Sequence, residues 1–278
     1  VDTVRGNKQK IYVKNAQCEI DGGFENEHEV IIMEAKNVLN EEFHIRQLYY
    51  PYRLWRNKVT KPIRLIFSIY SNMIFRLFEY RFIDTTDYSS IELIKMKNYS
   101  LQDTTIELED LIDVRNKTKI CYQDNQNDDL KVPFVQANSF ERVISLLENM
   151  KDNPMTKEQL MVFDERQSDY YYNAGAYLGL FEKKREDKIS KVFLTRLGDN
   201  VFSLNYKERQ LKFVELILKH QIFADCFDMV INSGGELPDI ETIENLMREY
   251  NVCNEGQINR RASSVQGWIK WIFNLRNL

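Results

Sequence analysis

Long apolar runs are missing from this chain: nowhere do about 18 apolar residues follow one another, so no membrane-crossing helix is expected. The opening residues VDTVRGNKQK lack an apolar core, so no signal peptide is expected; the start on Val1 instead of Met suits a processed or shortened chain. Cysteine is scarce. Cys18, Cys121, Cys226 and Cys253 lie far apart without a CxxC pair, which fits a reduced, cytoplasmic protein and excludes a zinc ribbon. His28, His44 and His220 form no HxxxH or HExxH pair, which excludes a His-ligated zinc hydrolase and leaves them as ordinary surface or packing histidines. With neither GxxxxGK[ST] nor GxGxxG, ATP motors and Rossmann enzymes drop out as well. What is present is 43% hydrophobic and 29% charged in 278 residues, enough to bury a core in one large domain or two to three small ones. The net charge is -4, which taken as a global average speaks against a phosphate-rich partner.

Residues 11–36 read as a β-hairpin, with GGFENEH as its turn and VIIM as a buried strand. Residues 42–56 read as a helix interrupted or ended near Pro51. The apolar run 63–83 reads as one or two core strands, SIELIKMKNYSL as another, and 104–129 as helix and loop. A composition shift follows. Ser139 is a candidate N-cap for FERVISLLENM, Thr156 with Gln159 has the capping-box spacing, and a third helix is expected from about Asp164. LFEKK and KVFLTRLG, separated by REDKIS, then read as a two-stranded ribbon. Three short helices and a ribbon are the order of a winged helix, with a generic small α+β unit as the plain alternative. Residues 206–278 read as helical, or as a second, degenerate winged helix.

Chemistry concentrates in CEIDGGFENEHEVIIMEAK, residues 18–36. Side chains two apart on a strand share a face, so Glu34 and Lys36 project together. A turn centred on Glu27–His28 sets Asp21 opposite Glu34 and Glu19 opposite Lys36, unless Gly22–Gly23 bulges the register. Carboxylates gathered at one end of a sheet are what a hard cation such as Mg²⁺ requires, with the Ala35 carbonyl as a further oxygen ligand. Such a metal would polarise a phosphate while Lys36 orients the attacking water or stabilises developing charge. Acid-x-Lys triplets also occur at Asp129–Lys131, Glu182–Lys184 and Glu186–Lys188. Only Glu34 combines a preceding VIIM run, an Asp thirteen positions earlier and a diglycine between. The plain alternative is a solvated hairpin with ordinary surface charges.

EIDGGFE, EVIIMEAKN and IRQLYYPYR together resemble the PD-(D/E)XK nuclease superfamily, most closely type II restriction endonucleases with a C-terminal winged-helix region. The resemblance implies an α/β fold: a nuclease core of mixed sheet flanked by helices at 1–135, an α+β winged helix at 136–205, and a helical or second winged-helix-like region at 206–278. It implies Asp21, Glu34 and Lys36 as catalytic, Asp21, Glu34 and Ala35 around Mg²⁺, and double-stranded DNA as substrate. Gln47 corresponds to the glutamine that some members place after the lysine strand, although QLYY departs from the usual QxxxY. The D-G-G form lacks the proline of the nominal motif. SDYYYNAGAYLGLFE and FLTRLG resemble winged-helix parts of similar enzymes. Many enzymes of this kind act as homodimers so that two sites cut two strands; no dimer surface is legible in this sequence.

Splitting the charge changes its meaning. His44–Phe82 holds eight Arg or Lys and one acid, a local +7, with Tyr49, Tyr50, Tyr52 and Trp55 interleaved, whereas residues 84–113 hold eight acids and two lysines. Arg46, Arg53 and Arg56 are therefore candidates for DNA-backbone contact and the aromatics for core. Arg166, Gln167 and Tyr170 are candidates in the recognition helix, and Arg260 and Arg261 for phosphates, with Trp268 and Trp271 as core. Two other readings stay open: a repair or structure-selective nuclease on the same scaffold, and a non-catalytic winged-helix regulator.

Overall fold

A computed structural model describes residues 17–37, 44–121, 133–151, 154–156, 168–186 and 189–277. The fold is mixed α/β, with a five-stranded mixed sheet, a three-stranded sheet and nine α-helices among the described residues. No helix among these residues is long and apolar enough to cross a membrane. The chain divides into two compact units. The first is Val1–Lys36, Glu42–Ile69 and Arg76–Lys97; the second is Asn37–Glu41, Tyr70–Phe75 and Asn98–Leu278. Residues 98–135, grouped with the first domain on sequence, thus count with the second unit.

The five strands run in the order β1 (Gly22–Glu25), β2 (Val30–Lys36), β3 (Ile63–Ser71), β4 (Ile74–Phe82) and β5 (Ile91–Ser100). β1 and β2 form a hairpin centred where expected, but GGFE, expected in its turn, is the strand β1, and residues 11–16 of the expected first strand lie outside the described residues. Gly22 pairs with Met33 and Glu25 with Val30, around a turn in which Asn26 Oδ1 accepts the amides of His28 and Glu29. The diglycine makes no bulge. β2 and β3 are parallel, Val30 beside Ile63 and Lys36 beside Ile69. Parallel neighbours need a crossover connection, and that connection carries α1 (Arg46–Arg56).

Pro51 sits inside α1 and does not interrupt it. The pyrrolidine forfeits one backbone bond, but Pro51 and Leu48 are both buried, and packing outweighs local propensity here. The apolar run 63–83 resolves into two strands. They are joined by Asn72 and Met73 at φ 54° and 61°, the left-handed pair that matches the twist of a two-residue hairpin.

In the second unit, the hairpin tip is held by a polar network. Ser71 Oγ donates to Glu148 Oε2 at 3.0 Å, the Asn72 amide to the same oxygen at 2.9 Å, and the Asn72 and Gln210 side-chain amides bond reciprocally at 2.8 and 3.1 Å. Arg209, also buried, reaches Glu148 at 3.2 Å. α2 (Leu108–Lys117) starts at a reciprocal Glu107–Asp110 cap and anchors through Arg115, which grips Asp228 with two nitrogens at 3.0 and 2.6 Å.

α3 (Phe140–Asn149) has Ser139 at its N-cap position, though without a side-chain capping bond. Thr156 does not open a helix; it lies in β6 (Met155–Thr156), and Gln159 is outside the described residues. α4 (Ser168–Tyr177) precedes β7 (Phe181–Glu186) and β8 (Ile189–Leu194), and the three strands pair antiparallel in the order β6-β8-β7. The ribbon is longer than expected, because Arg185, Glu186, Ile189 and Ser190 join the ladder that REDKIS was expected to interrupt.

After α5 (Arg196–Asn200), residues 206–278 contribute α6 (Tyr206–Leu218), α7 (Gln221–Asn232), α8 (Ile240–Glu249) and α9 (Glu255–Asn274), with no strand among the described residues. Phe140 meets Trp268 edge-on at 5.0 Å, Phe223 stacks on Trp268 at 5.3 Å, and the indole donates to the Ala137 carbonyl at 2.7 Å.

The close approach beside Trp268 has a measurable consequence. A methyl group on Gly267 would stand 2.4 Å from the Asn138 carbonyl oxygen, whereas one on Gly256 meets nothing within 4 Å. Gly267→Ala is expected to lower the unfolding free energy by about 1–3 kcal/mol. Gly256→Ala is expected to raise it by about 0.4–1 kcal/mol. Urea unfolding followed by circular dichroism separates the two.

Candidate active site

Extending the β1–β2 register by one step places Asp21 across from Glu34, at a position where facing Cβ atoms lie about 4.5–5.5 Å apart. A direct contact fixes the pair: the Ala35 amide donates to Asp21 Oδ2 at 2.8 Å. Facing residues on an antiparallel ladder direct N–H and C=O to the same neighbour, so the Ala35 carbonyl leaves β2 on the Asp21 side too.

Glu34 is 7% exposed, on the α1 face of the sheet with Val30 and Ile32. A buried carboxylate needs partners. The Lys36 ammonium and the Gln47 amide supply them on one oxygen: both donate to Glu34 Oε1, Gln47 Nε2 at 2.6 Å. Lys36 comes from two positions along the same strand and Gln47 from the first turn of α1, so sheet and crossover helix meet at this carboxylate. Asp21 remains exposed.

Glu19, expected as a third carboxylate, is exposed and lies ahead of β1. Among the described residues no three His, Cys, Asp or Glu side chains gather to hold a metal. The donor set is therefore two carboxylates and a main-chain carbonyl, all oxygen. That set suits Mg²⁺, which is bound through one or two carboxylates and keeps several waters; it does not suit a metal that demands nitrogen or sulfur.

The +7 stretch is partly neutralised within the first unit. Lys61 pairs with Glu25 at 2.6 Å, Arg64 with Glu29 at 3.0 Å and Glu79 at 3.3 Å, and Arg81 with Glu92 at 2.5 Å. Arg53 donates to the Thr85 carbonyl at 2.7 Å and to the Tyr49 hydroxyl at 3.2 Å, which ties α1 to the loop before β5. Arg46 and Arg56 are exposed and have no partner among the described residues. The aromatics divide: Tyr49 and Tyr52 pack on Phe82, as a core reading expects, while Tyr50 is 62% exposed. Helical phase was the signal for Tyr50, since it lies on the Arg46 and Arg53 side of α1, away from Leu48 and Pro51.

Elsewhere, Arg166 and Gln167 lie outside the described residues, and Tyr170 is exposed on the first turn of α4. Of the Arg260–Arg261 pair only Arg260 is exposed. Arg261 is 7% exposed, buried on α9. His220 stacks on Tyr177 at 3.9 Å, a packing role.

Two family models match the chain. One, described as Domain of unknown function (DUF6997), matches residues 1–100; the other, Domain of unknown function (DUF7226), matches residues 142–277. No curated protein and no solved structure matches the chain.

The donor set can be tested by binding alone. Mg²⁺ is expected to raise the thermal unfolding midpoint, with a gain of about 1.4 kcal/mol at ten times its Kd. Asp21→Asn and Glu34→Gln are each expected to abolish that gain, and differential scanning fluorimetry with and without Mg²⁺ reads it.

Proposed function

We propose that the protein is a Mg²⁺-dependent endonuclease of the restriction type, hydrolysing phosphodiester bonds of double-stranded DNA at a specific sequence. The observation that carries this reading is the convergence of Lys36 and Gln47 on buried Glu34, with Asp21 facing it across the hairpin. Burying one carboxylate and gathering charged and amide groups around it costs stability; a hydrolytic site is a reason for that arrangement to exist.

In this reading Asp21, Glu34 and the Ala35 carbonyl hold Mg²⁺. The chemistry supplied by the bound cation is neutralisation of the scissile phosphate and acidification of the attacking water. Gln47 keeps the Glu34 carboxylate oriented through its amide. Lys36 Nζ, already directed at Glu34 Oε1, donates to the water or to a phosphate oxygen as negative charge develops. Arg46, Arg53 and Arg56 stand exposed on α1, the helix that carries Gln47, and offer cations to the DNA backbone.

The second unit supports a reader for the sequence. α3, β6, α4, β7 and β8 follow one another with β6 and β7 both paired to β8, an arrangement that suits a winged helix. Tyr170 stands exposed on its α4.

Plasmid DNA incubated with the protein and Mg²⁺ is expected to yield discrete fragments, and EDTA to stop the reaction. Asp21→Ala, Glu34→Ala and Lys36→Ala are each expected to lose at least about 100-fold in rate, compared at a temperature where circular dichroism shows each variant folded. Full cutting by these variants would sink the site assignment. A smear, or cutting only at junctions, would replace restriction with a repair role, and DNA binding without any cutting would favour a regulator.

A further inference from the structure

Helix α1 brings Gln47 to Glu34, and the same helix presents an aromatic ring that the sheet does not use. Tyr49 packs edge-on against Phe82 at 5.0 Å and Tyr52 lies 5.4 Å from the same ring, but Tyr50 between them is 62% exposed. With 3.6 residues per turn, Arg46, Tyr50 and Arg53 fall within about 60° of one another around the axis. One stripe of α1 therefore carries a guanidinium, a phenol ring and a second guanidinium in succession. Gln47 borders that stripe, three positions before Tyr50, so their Cβ atoms lie about 5–6 Å apart.

The members of the stripe differ in freedom. Arg53 is anchored to the Thr85 carbonyl at 2.7 Å and is a pre-placed cation. Arg46 is exposed without a partner among the described residues. A single exposed aromatic needs no explanation. This one, however, is bracketed by cations one turn from the side chain that orients Glu34. Cations that follow a phosphate backbone, alternating with an aromatic face, are the two elements by which proteins hold unpaired nucleic acid.

We infer that Tyr50 is a stacking platform for a nucleobase beside the scissile phosphate, and so a positioning residue for the proposed hydrolysis. The inference rests on the nuclease reading and deepens it. A base inside an intact duplex has both faces covered by its neighbours, so the platform acts on a base that has left the stack. Steps that unstack easily, such as pyrimidine–purine steps, would then be preferred at the cut even where no side chain reads their edges.

The test separates stacking from cutting. A single-stranded oligonucleotide carrying 2-aminopurine is titrated with the full chain in EDTA, where no cutting is expected. Wild type is expected to bind and to change the fluorescence. Tyr50→Ala is expected to bind about 5- to 150-fold more weakly and to leave the fluorescence unchanged, with the wild-type unfolding midpoint because the ring is exposed. Tyr50→Phe, which keeps the ring, is expected to match wild type in both. In Mg²⁺, Tyr50→Ala is expected to cut plasmid with a reduced kcat/KM, again rescued by Tyr50→Phe. Wild-type affinity and fluorescence in Tyr50→Ala would overturn the platform whatever the cutting result. A Tyr50→Phe variant as weak as Tyr50→Ala would also overturn it, by assigning the effect to the hydroxyl. Stacking that persists in a protein that never cuts would overturn the nuclease reading alone.

Discussion

A carboxylate almost removed from water, Glu34, is the constraint around which the first unit is arranged. An uncompensated charge there would be severely destabilising, so strand and helix must each deliver a donor to it. Lys36 does so through the two-residue period of β2, and Gln47 through the crossover that parallel pairing of β2 and β3 demands. Asp21 arrives by a third route, the short antiparallel hairpin. Three kinds of connection thus converge on one end of β2. A slip of one residue in the hairpin register would move Asp21 to the other face.

This geometry also explains which parts of the site are legible in one dimension. The Asp21–Glu34 pairing follows from a turn centre and a period of two, both visible in the residues, and the ladder repeats them. Gln47 is nearly as legible, since a helix beginning soon after the strand must pack back over it. Pro51 misleads because propensity is local whereas its burial is not. Tyr50 misleads in the opposite direction: an aromatic-rich segment suggests core, and only the phase of the helix shows that one of its rings points outward. Thr156 has the spacing of a capping box, yet pairing with Lys191 of β8 places it in a strand. Arg261 shows the same limit, because a basic doublet on a helix must straddle its surface and one member faces in.

Local charge behaves similarly. A count of +7 describes the chain between His44 and Phe82, but Glu25, Glu29 and Glu92 come from outside that window and pair with Lys61, Arg64 and Arg81. Exposed pairs of this kind add little stability. Their effect is on the field: they neutralise Lys61, Arg64 and Arg81, while Arg46, Arg53 and Arg56 stand exposed on α1 and Lys58 just after it. Electrostatic steering depends on where charge remains after local pairing. A protein of net charge -4 can therefore present a narrow basic stripe on the helix that carries Gln47.

The second unit solves a different problem with the same means. Its hairpin tip places Met73 at a positive φ, which a bulky residue disfavours. That conformation persists because its neighbour Asn72 has both backbone and side chain committed, to Glu148 and to Gln210. Glu148 is in turn held by Arg209, whose buried Nε has no hydrogen-bond partner among the described residues. The arrangement is costly in desolvation and gains specificity in return: only one register of β3 against β4 delivers Asn72 to those partners.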